Sequence, residues 1–192
     1  MSATAAKFRS LRDVYTQTSV PALQKDLGVE NAFAVPKLEK VVVNVGVGKR
    51  LKDEKYIESV VQDLSRITGQ KAVKTVAKKA IAGFKLREGS VVGVKVTLRG
   101  EKMHSFIEKL VNVALPRVRD FRGISPKAFD PHGNYNLGIR EHIVFPEVST
   151  DDVENTFPLE VTIVTTAKNP AEGHLLLKTL GFPFNDKLED KE

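Results

Sequence analysis

The chain has 192 residues, 41% hydrophobic and 28% charged, which suits one soluble globular domain, and its lack of cysteine excludes disulfides, thiol catalysis and sulfur-based zinc sites. No apolar run reaches the length of a membrane span. The net charge of +6 is unevenly spread: residues 1–36 carry four Lys/Arg against three Asp/Glu, residues 37–123 twenty against nine, and residues 124–192 six against twelve. So basic a middle points to a polyanionic partner, because neutralised phosphates release counterions, and nucleic acid is favoured over a membrane because many of the basic residues lie in strands and loops rather than on one amphipathic helix.

The N-terminus, MSATAAKFRSLRD, lacks a signal-peptide core and, although its Ala, Ser and basic residues faintly resemble an organellar presequence, reads as an ordinary extension of a cytosolic chain rather than one bound for an organellar matrix. Ser19, Val20 and Pro21 predict a helix start, running to about Leu27, since serine suits an N-cap and proline the first turn. KLEKVVVNV from Lys37 predicts a strand, and it ends in GVGKR, a phosphate-loop look-alike. A Walker loop would need glycine at Val43 and a hydroxyl at Arg50, and a dinucleotide fingerprint would need glycine at Leu51. All three are wrong, so the stretch reads as a strand ending in a tight turn.

From Asp53, apolar Tyr56, Ile57, Val60, Val61, Leu64 and Ile67 recur at helical spacing, and Gly69 stops the helix. A short strand near Ala72 to Val76, a basic stretch and a strand from Val91 to Leu98 follow. Met103, Phe106, Ile107, Leu110 and Val111 form the core stripe of a helix over Lys102 to Leu115, which Pro116 ends. Past a turn-rich segment holding Pro126, Pro131, Gly133 and Gly138, strands are predicted near Ile139 to Phe145 and Leu159 to Thr166, then a helix from about Pro170 to Leu180. The class is α+β, with helices packed on one face of a sheet.

That build leaves the other sheet face free for polar side chains. Asn44 alternates with Val43 and Val45, TGQK (Thr68 to Lys71) delivers an amide and an ammonium to the next strand, and Thr97 and Arg99 alternate with Val96 and Leu98. These side-chain types hydrogen-bond phosphates, sugars and base edges. An enzymatic reading would draw on His104, or on His132 and His142 with Asp130, Arg140 and Glu141. No metal-ligand spacing or nucleophile elbow supports it, so surface or hydrogen-bonded histidines are the better reading. An RNA-processing or nucleotide-dependent enzyme and a free-standing RNA chaperone remain the alternatives; catalytic activity would mark the first, loose RNA selectivity the second.

LSRITGQKAVKTVAKKAIAGFKLREG, VGVKVTLRGEKM, PRVRDFRG and FDPHGNYNLGIREHIVFPE occur in that order between Lys37 and Phe184. Together they resemble the bacterial-type large-subunit ribosomal protein 5 family, whose members bind 5S ribosomal RNA. The resemblance implies a two-layer sandwich, mainly antiparallel, with helices on one sheet face and the other toward RNA. It implies no enzyme activity and no cofactor. It implies a cytoplasmic, ribosomal role: anchoring 5S rRNA in the central protuberance, and contacting large-subunit rRNA, P-site tRNA, neighbouring central-protuberance proteins and a small-subunit head protein across an intersubunit bridge.

Carried over by residue, the family's RNA-facing polar positions match Asn44, Gln70 and Thr97, with Lys71 and Arg99 beside them on phosphate. Arg117, Arg119 and Arg122 are implied to bind rRNA phosphates, while Phe121 suits core and stacking equally. The loop over residues 77–89 resembles the family's protruding loop toward the elbow of P-site tRNA, with Lys78 and Lys79 on its backbone and Ala80 and Ala82 permitting close approach. Many members carry a hydroxyl where Ala80 stands, so this chain lacks that hydrogen-bonding group. The expected organisation is an N-terminal helical segment over 1–36, an α+β RNA-binding domain over 37–184, and a disordered acidic tail over 185–192.

Overall fold

The computed structural model describes residues 10–50, 53–84, 86–148 and 156–185. Five antiparallel strands, β1 (Leu38–Gly46), β2 (Val73–Val76), β3 (Val91–Leu98), β4 (Tyr135–Ile139) and β5 (Leu159–Thr165), form one sheet in the order β2-β3-β1-β5-β4. Alternation sorts its faces: Val41, Val43 and Val45 pair with Leu98, Val96 and Val94 on one side and Val41 and Val43 with Ile163 and Val161 on the other, and all are buried. Helices cover this face. Ile57, Val60, Leu64 and Ile67 of α3 (Glu54–Thr68), Met103, Phe106 and Ile107 of α4 (Gly100–Lys109) and Leu176 and Leu177 of α5 (Pro170–Thr179) belong to the same core. The molecule is therefore an α+β two-layer sandwich.

The helix ends follow their local chemistry. Asp53 accepts from the Tyr56 N–H at 3.1 Å to cap α3, and Gly69 closes it at φ 64°, where a side chain would be strained. Asn169 caps α5 by accepting from the Glu172 N–H at 2.9 Å. A close approach also fixes Gly173: a methyl there would lie 2.5 Å from the Gly133 carbonyl oxygen.

The N-terminal helix begins earlier than its sequence signal. Ser10 accepts from the Asp13 N–H and opens α1 (Leu11–Val14), a π-helical turn spans Tyr15–Ser19, and α2 (Val20–Leu27) follows without a break. Ser19 is helical and buried, not a cap. Pro21, which has no N–H, lies just after the widened turn, so the helix passes it without stopping. The same device recurs after α4: a π-helical turn at Leu110–Ala114 precedes a 3-10 turn, Leu115–Arg117, that contains Pro116. What reads as one helix over Lys102 to Leu115 is α-helical only to Lys109. Leu11 and Leu23 lie in the common core with the sheet.

The fourth strand also differs. It covers Tyr135–Ile139 rather than starting at Ile139, because Tyr135 and Ile139 point inward while Gly138 pairs with Glu160 and does not interrupt the ladder. The following IVF falls in a 3-10 turn, His142–Val144, and Phe145, with His142, Val144 and Phe145 buried and Ile143 half-buried, and the turn is held by the His142 N–H donating to the Phe157 carbonyl at 3.2 Å. The first nine residues and the acidic tail from residue 186 onward lie outside the described residues.

Candidate nucleic-acid interface

The outward sheet face is polar by the same alternation that makes the inward face apolar. One cross-strand row reads Val73, Lys95, Asn44, Glu160, Gly138 from β2 to β4, and the next reads Thr97, Val42, Thr162, Asn136. Asn44 and Thr97 thus share a face, as expected, with Lys95 directly opposite Asn44. Lys71 is exposed at the entry to β2, and Arg99 is exposed at the end of β3. Arg99 lies 3.6 Å from Glu39, which also pairs with Lys40 at 3.8 Å, so one carboxylate balances two cations at that edge.

Gln70 joins the group differently. Its Nε2 donates to the Thr97 carbonyl at 2.9 Å, fastening the α3–β2 turn to β3. Half of its amide is spent on the fold and Oε1 remains to accept. Nearby, Lys102 donates to the Gly69 carbonyl at 3.1 Å, and Lys109 donates to the Ile67 carbonyl at 2.6 Å and pairs with Glu147, so these two lysines brace the end of α3.

Lys78, Lys79, Ala80 and Ala82 stand apart from this face. They lie on a hairpin between β2 and β3, closed by Ala77 N–H to the Ser90 carbonyl (2.9 Å), Gly89 N–H to the Ala77 carbonyl (3.0 Å) and a bridge between Ile81 and Leu86. All four are exposed, and Phe84 near the tip is 78% exposed. Lys85 lies outside the described residues.

Arg117, Arg119 and Arg122 are exposed on the segment after α4. Arg119 and Arg122 line a groove of about 650 Å³ beside β4 that Arg140 also lines, and Arg117 does not. Phe121 packs against the core. Lys95, Asn136 and Glu160 were missed in the sequence, and Arg140 was weighed only for an enzyme, although alternation in VGVKVTL and LEVTIVT puts Lys95 with Thr97 and Glu160 with Thr162.

His132 is exposed, and the other histidines serve packing. His142 is fully buried, stacks on Phe157 at 3.8 Å between centroids, and accepts from the Phe157 N–H at 3.4 Å. Burial pushes its pKa down, against the opposing pull of Asp63 3.9 Å away. His104 is also held below the ordinary range, by burial and then by Arg12. Burial raises Tyr135 to about 12, and its hydroxyl donates to the Ser125 carbonyl at 2.8 Å. Around Asp130, burial works against ionisation, but the Asn134 and His132 N–H groups outweigh it and hold the carboxyl below its usual value. Among the described residues no three His, Asp or Glu side chains converge as metal ligands.

GVGKR forms a 3-10 turn over Gly48–Arg50 in which the Val47 N–H goes to the Val92 carbonyl (3.0 Å) and the Arg50 N–H to the Val47 carbonyl (2.9 Å). Two amides that a phosphate cradle would need free are therefore used in the backbone.

Two family profiles match: ribosomal protein L5 over residues 31–87, and the C-terminus of the same ribosomal family over residues 91–184. Among curated proteins, the chain is 57% identical to the large ribosomal subunit protein uL5 of Halothermothrix orenii over 91% of this chain and 98% of that one. Its identity to the proteins of the same name from Desulfatibacillum aliphaticivorans and Prochlorococcus marinus is 55% and 53%, again over 91% of this chain and 98% of each relative.

Proposed function

Because the chain belongs to the ribosomal protein L5 family, whose members are structural ribosomal proteins and not enzymes, we propose that it binds 5S rRNA through the outward face of its sheet and helps anchor that RNA in the central protuberance of the large subunit. The observation that carries the reading is that face: Asn44, Lys95 and Thr97 lie side by side across β1 and β3, with buried Val43, Val45, Val94, Val96 and Leu98 on the opposite face. Asn44 and the free Oε1 of Gln70 supply hydrogen bonds shaped to the RNA, while Lys71, Lys95 and Arg99 supply the electrostatic background. Arg117, Arg119 and Arg122 take phosphates of the large-subunit rRNA. The hairpin with Lys78, Lys79, Ala80 and Ala82 reaches P-site tRNA, and the protein also meets its central-protuberance neighbours and a small-subunit head protein. The location is the cytoplasmic ribosome; among the described residues no helix is long and apolar enough to cross a membrane.

The test is retrieval of 5S rRNA by the tagged protein from a lysate, followed by a titration with purified RNA. Asn44→Ala should weaken binding by about 1 to 3 kcal/mol, the scale of a charge-assisted or desolvated hydrogen bond. Affinity should fall steeply with salt as lysines and arginines displace counterions. Wild-type affinity for Asn44→Ala together with a flat salt response would remove the sheet face from the interface.

A further inference from the structure

Glu160 stands in the middle of the outward face, between Asn44 on β1 and Gly138 on β4. It is exposed, and among the described residues it makes no ion pair or hydrogen bond. A carboxylate in this place repels phosphate, and since no cation of the described residues is paired with it, an RNA covering the face would strip its water unless it brought donors of its own. The RNA must therefore supply donors.

Guanine is the base that fits. Its N1–H and N2–H are adjacent donors that match the two oxygens of a carboxylate. Uracil N3–H lies between two carbonyls, while cytosine and adenine set an acceptor ring nitrogen beside their amino group, so each brings an acceptor against the carboxylate.

The surroundings suit a base. Asn44, Gly46, Asn136, Gly138, Arg140 and Glu160 line a concavity of about 500 Å³. A methyl built on Gly46 or Gly138 meets open space, so a flat ring can descend onto the backbone at both. Asn136 accepts from the Thr162 hydroxyl at 2.8 Å through Oδ1, which leaves its amide N–H groups to donate. Arg140, exposed, also lines the concavity, with its charge available to an adjoining phosphate. We propose that Glu160, assisted by Asn136, reads the Watson–Crick edge of one unpaired guanine in the bound RNA. This rests on the reading of the sheet face as the 5S rRNA site.

The deciding feature of the test is a sign. If Glu160 is a bystander, Glu160→Gln removes a repulsive charge and tightens binding to 5S rRNA. If it holds guanine, the same change sets an amide N–H₂ against a base N–H and weakens binding about ten- to hundredfold. Kethoxal, which modifies guanine at N1 and N2, supplies a second readout: one guanine should be protected by wild-type protein and exposed under saturating Glu160→Gln. Equal thermal stability of the two proteins excludes misfolding. Unchanged or tighter binding, or unchanged protection, overturns the guanine site while leaving 5S rRNA binding intact; wild-type protein that fails to bind 5S rRNA overturns both.

Discussion

Of the residues proposed for the RNA face, Gln70 is the one most committed to the fold, and this makes its substitutions informative. The bond from its Nε2 to the Thr97 carbonyl is partly buried, at 2.9 Å, and joins residues 27 apart in sequence. Gln70→Ala should cost about 1 kcal/mol of stability, since it deletes the bond and leaves the carbonyl to water. Gln70→Glu is sharper. It sets an acceptor against an acceptor at the same separation, and the unmade bond plus repulsion should cost about 2 to 3 kcal/mol at neutral pH.

Protonating the introduced carboxyl restores a donor, so its pKa in the folded protein must rise above the unfolded value of about 4.3. A raised pKa contributes stability that is fully present below the unfolded value and lost as pH rises through the folded one. The deficit of Gln70→Glu against wild type should therefore shrink as pH falls from 7 toward 4. Urea unfolding of wild type, Gln70→Ala and Gln70→Glu across that range measures it, with wild type at each pH absorbing the titration of every other group. A deficit that is absent at pH 7, or constant with pH, would refute the bracing role. RNA affinity measured well below the unfolding transition then reports what Oε1 adds.

Changing Lys78 and Lys79 together to Ala should leave unfolding within about 0.5 kcal/mol of wild type, because both are exposed on a hairpin outside the core, and 5S rRNA affinity nearly unchanged, while P-site tRNA leaves assembled ribosomes faster. Loss of 5S rRNA affinity with an unchanged tRNA off-rate would put the hairpin in the 5S rRNA site. Gly173→Ala, which would ordinarily strengthen a helix, should destabilise by about 2 to 3 kcal/mol because its methyl meets the Gly133 carbonyl oxygen at 2.5 Å; a stabilised variant in chemical unfolding would contradict the contact. His104 and His142 both have pKa values pushed below the ordinary 6.5 by burial, so the unfolded chain binds more protons and stability is lost as pH falls below that value. His142→Phe keeps the stack on Phe157 and should flatten part of the fall in melting temperature between pH 7 and 5; an unchanged slope would exonerate His142.

What the sequence revealed was whatever one period could carry. Tyr56 to Ile67 and LEVTIVT declare a helix and a strand within their own windows, and Asn44 and Thr97 were legible as outward because their neighbours, Val43 and Val45 and Val96 and Leu98, point inward. The π-helical turns were not, because Pro21 reads locally as a helix start and Pro116 as a stop, whereas a widened turn before each lets the helical path run on, and a turn's width has no periodic signature. The fourth strand was placed too late because glycine at 138 and Asn-rich flanks look like a loop until the partner strand is known. Gln70 was singled out as a polar residue for an RNA face, but its bond to Thr97 depends on where β3 passes, which no local pattern encodes.

The placement of the hairpin explains why its charges can act separately from the sheet. Strand β2 has four residues, pairs with β3 alone, and slips register between Thr75 and Val76 just before the hairpin leaves. Thr75 packs so tightly over Gly93 that a methyl there would lie 2.9 Å from its hydroxyl oxygen, which pins the base of the projection to the sheet. Beyond that point the shape rests on the hairpin's own backbone bonds, since Ile81 and Phe84 are exposed rather than packed. Few buried contacts beyond the pinned base mean a low local opening free energy, so the hairpin can adjust to the proposed second RNA without disturbing the face proposed for the first. The ordering cost then falls on the second ligand, and phosphate contacts at Lys78 and Lys79 are the means of offsetting it. For this reason their loss should appear in the tRNA off-rate and not in the stability of the fold.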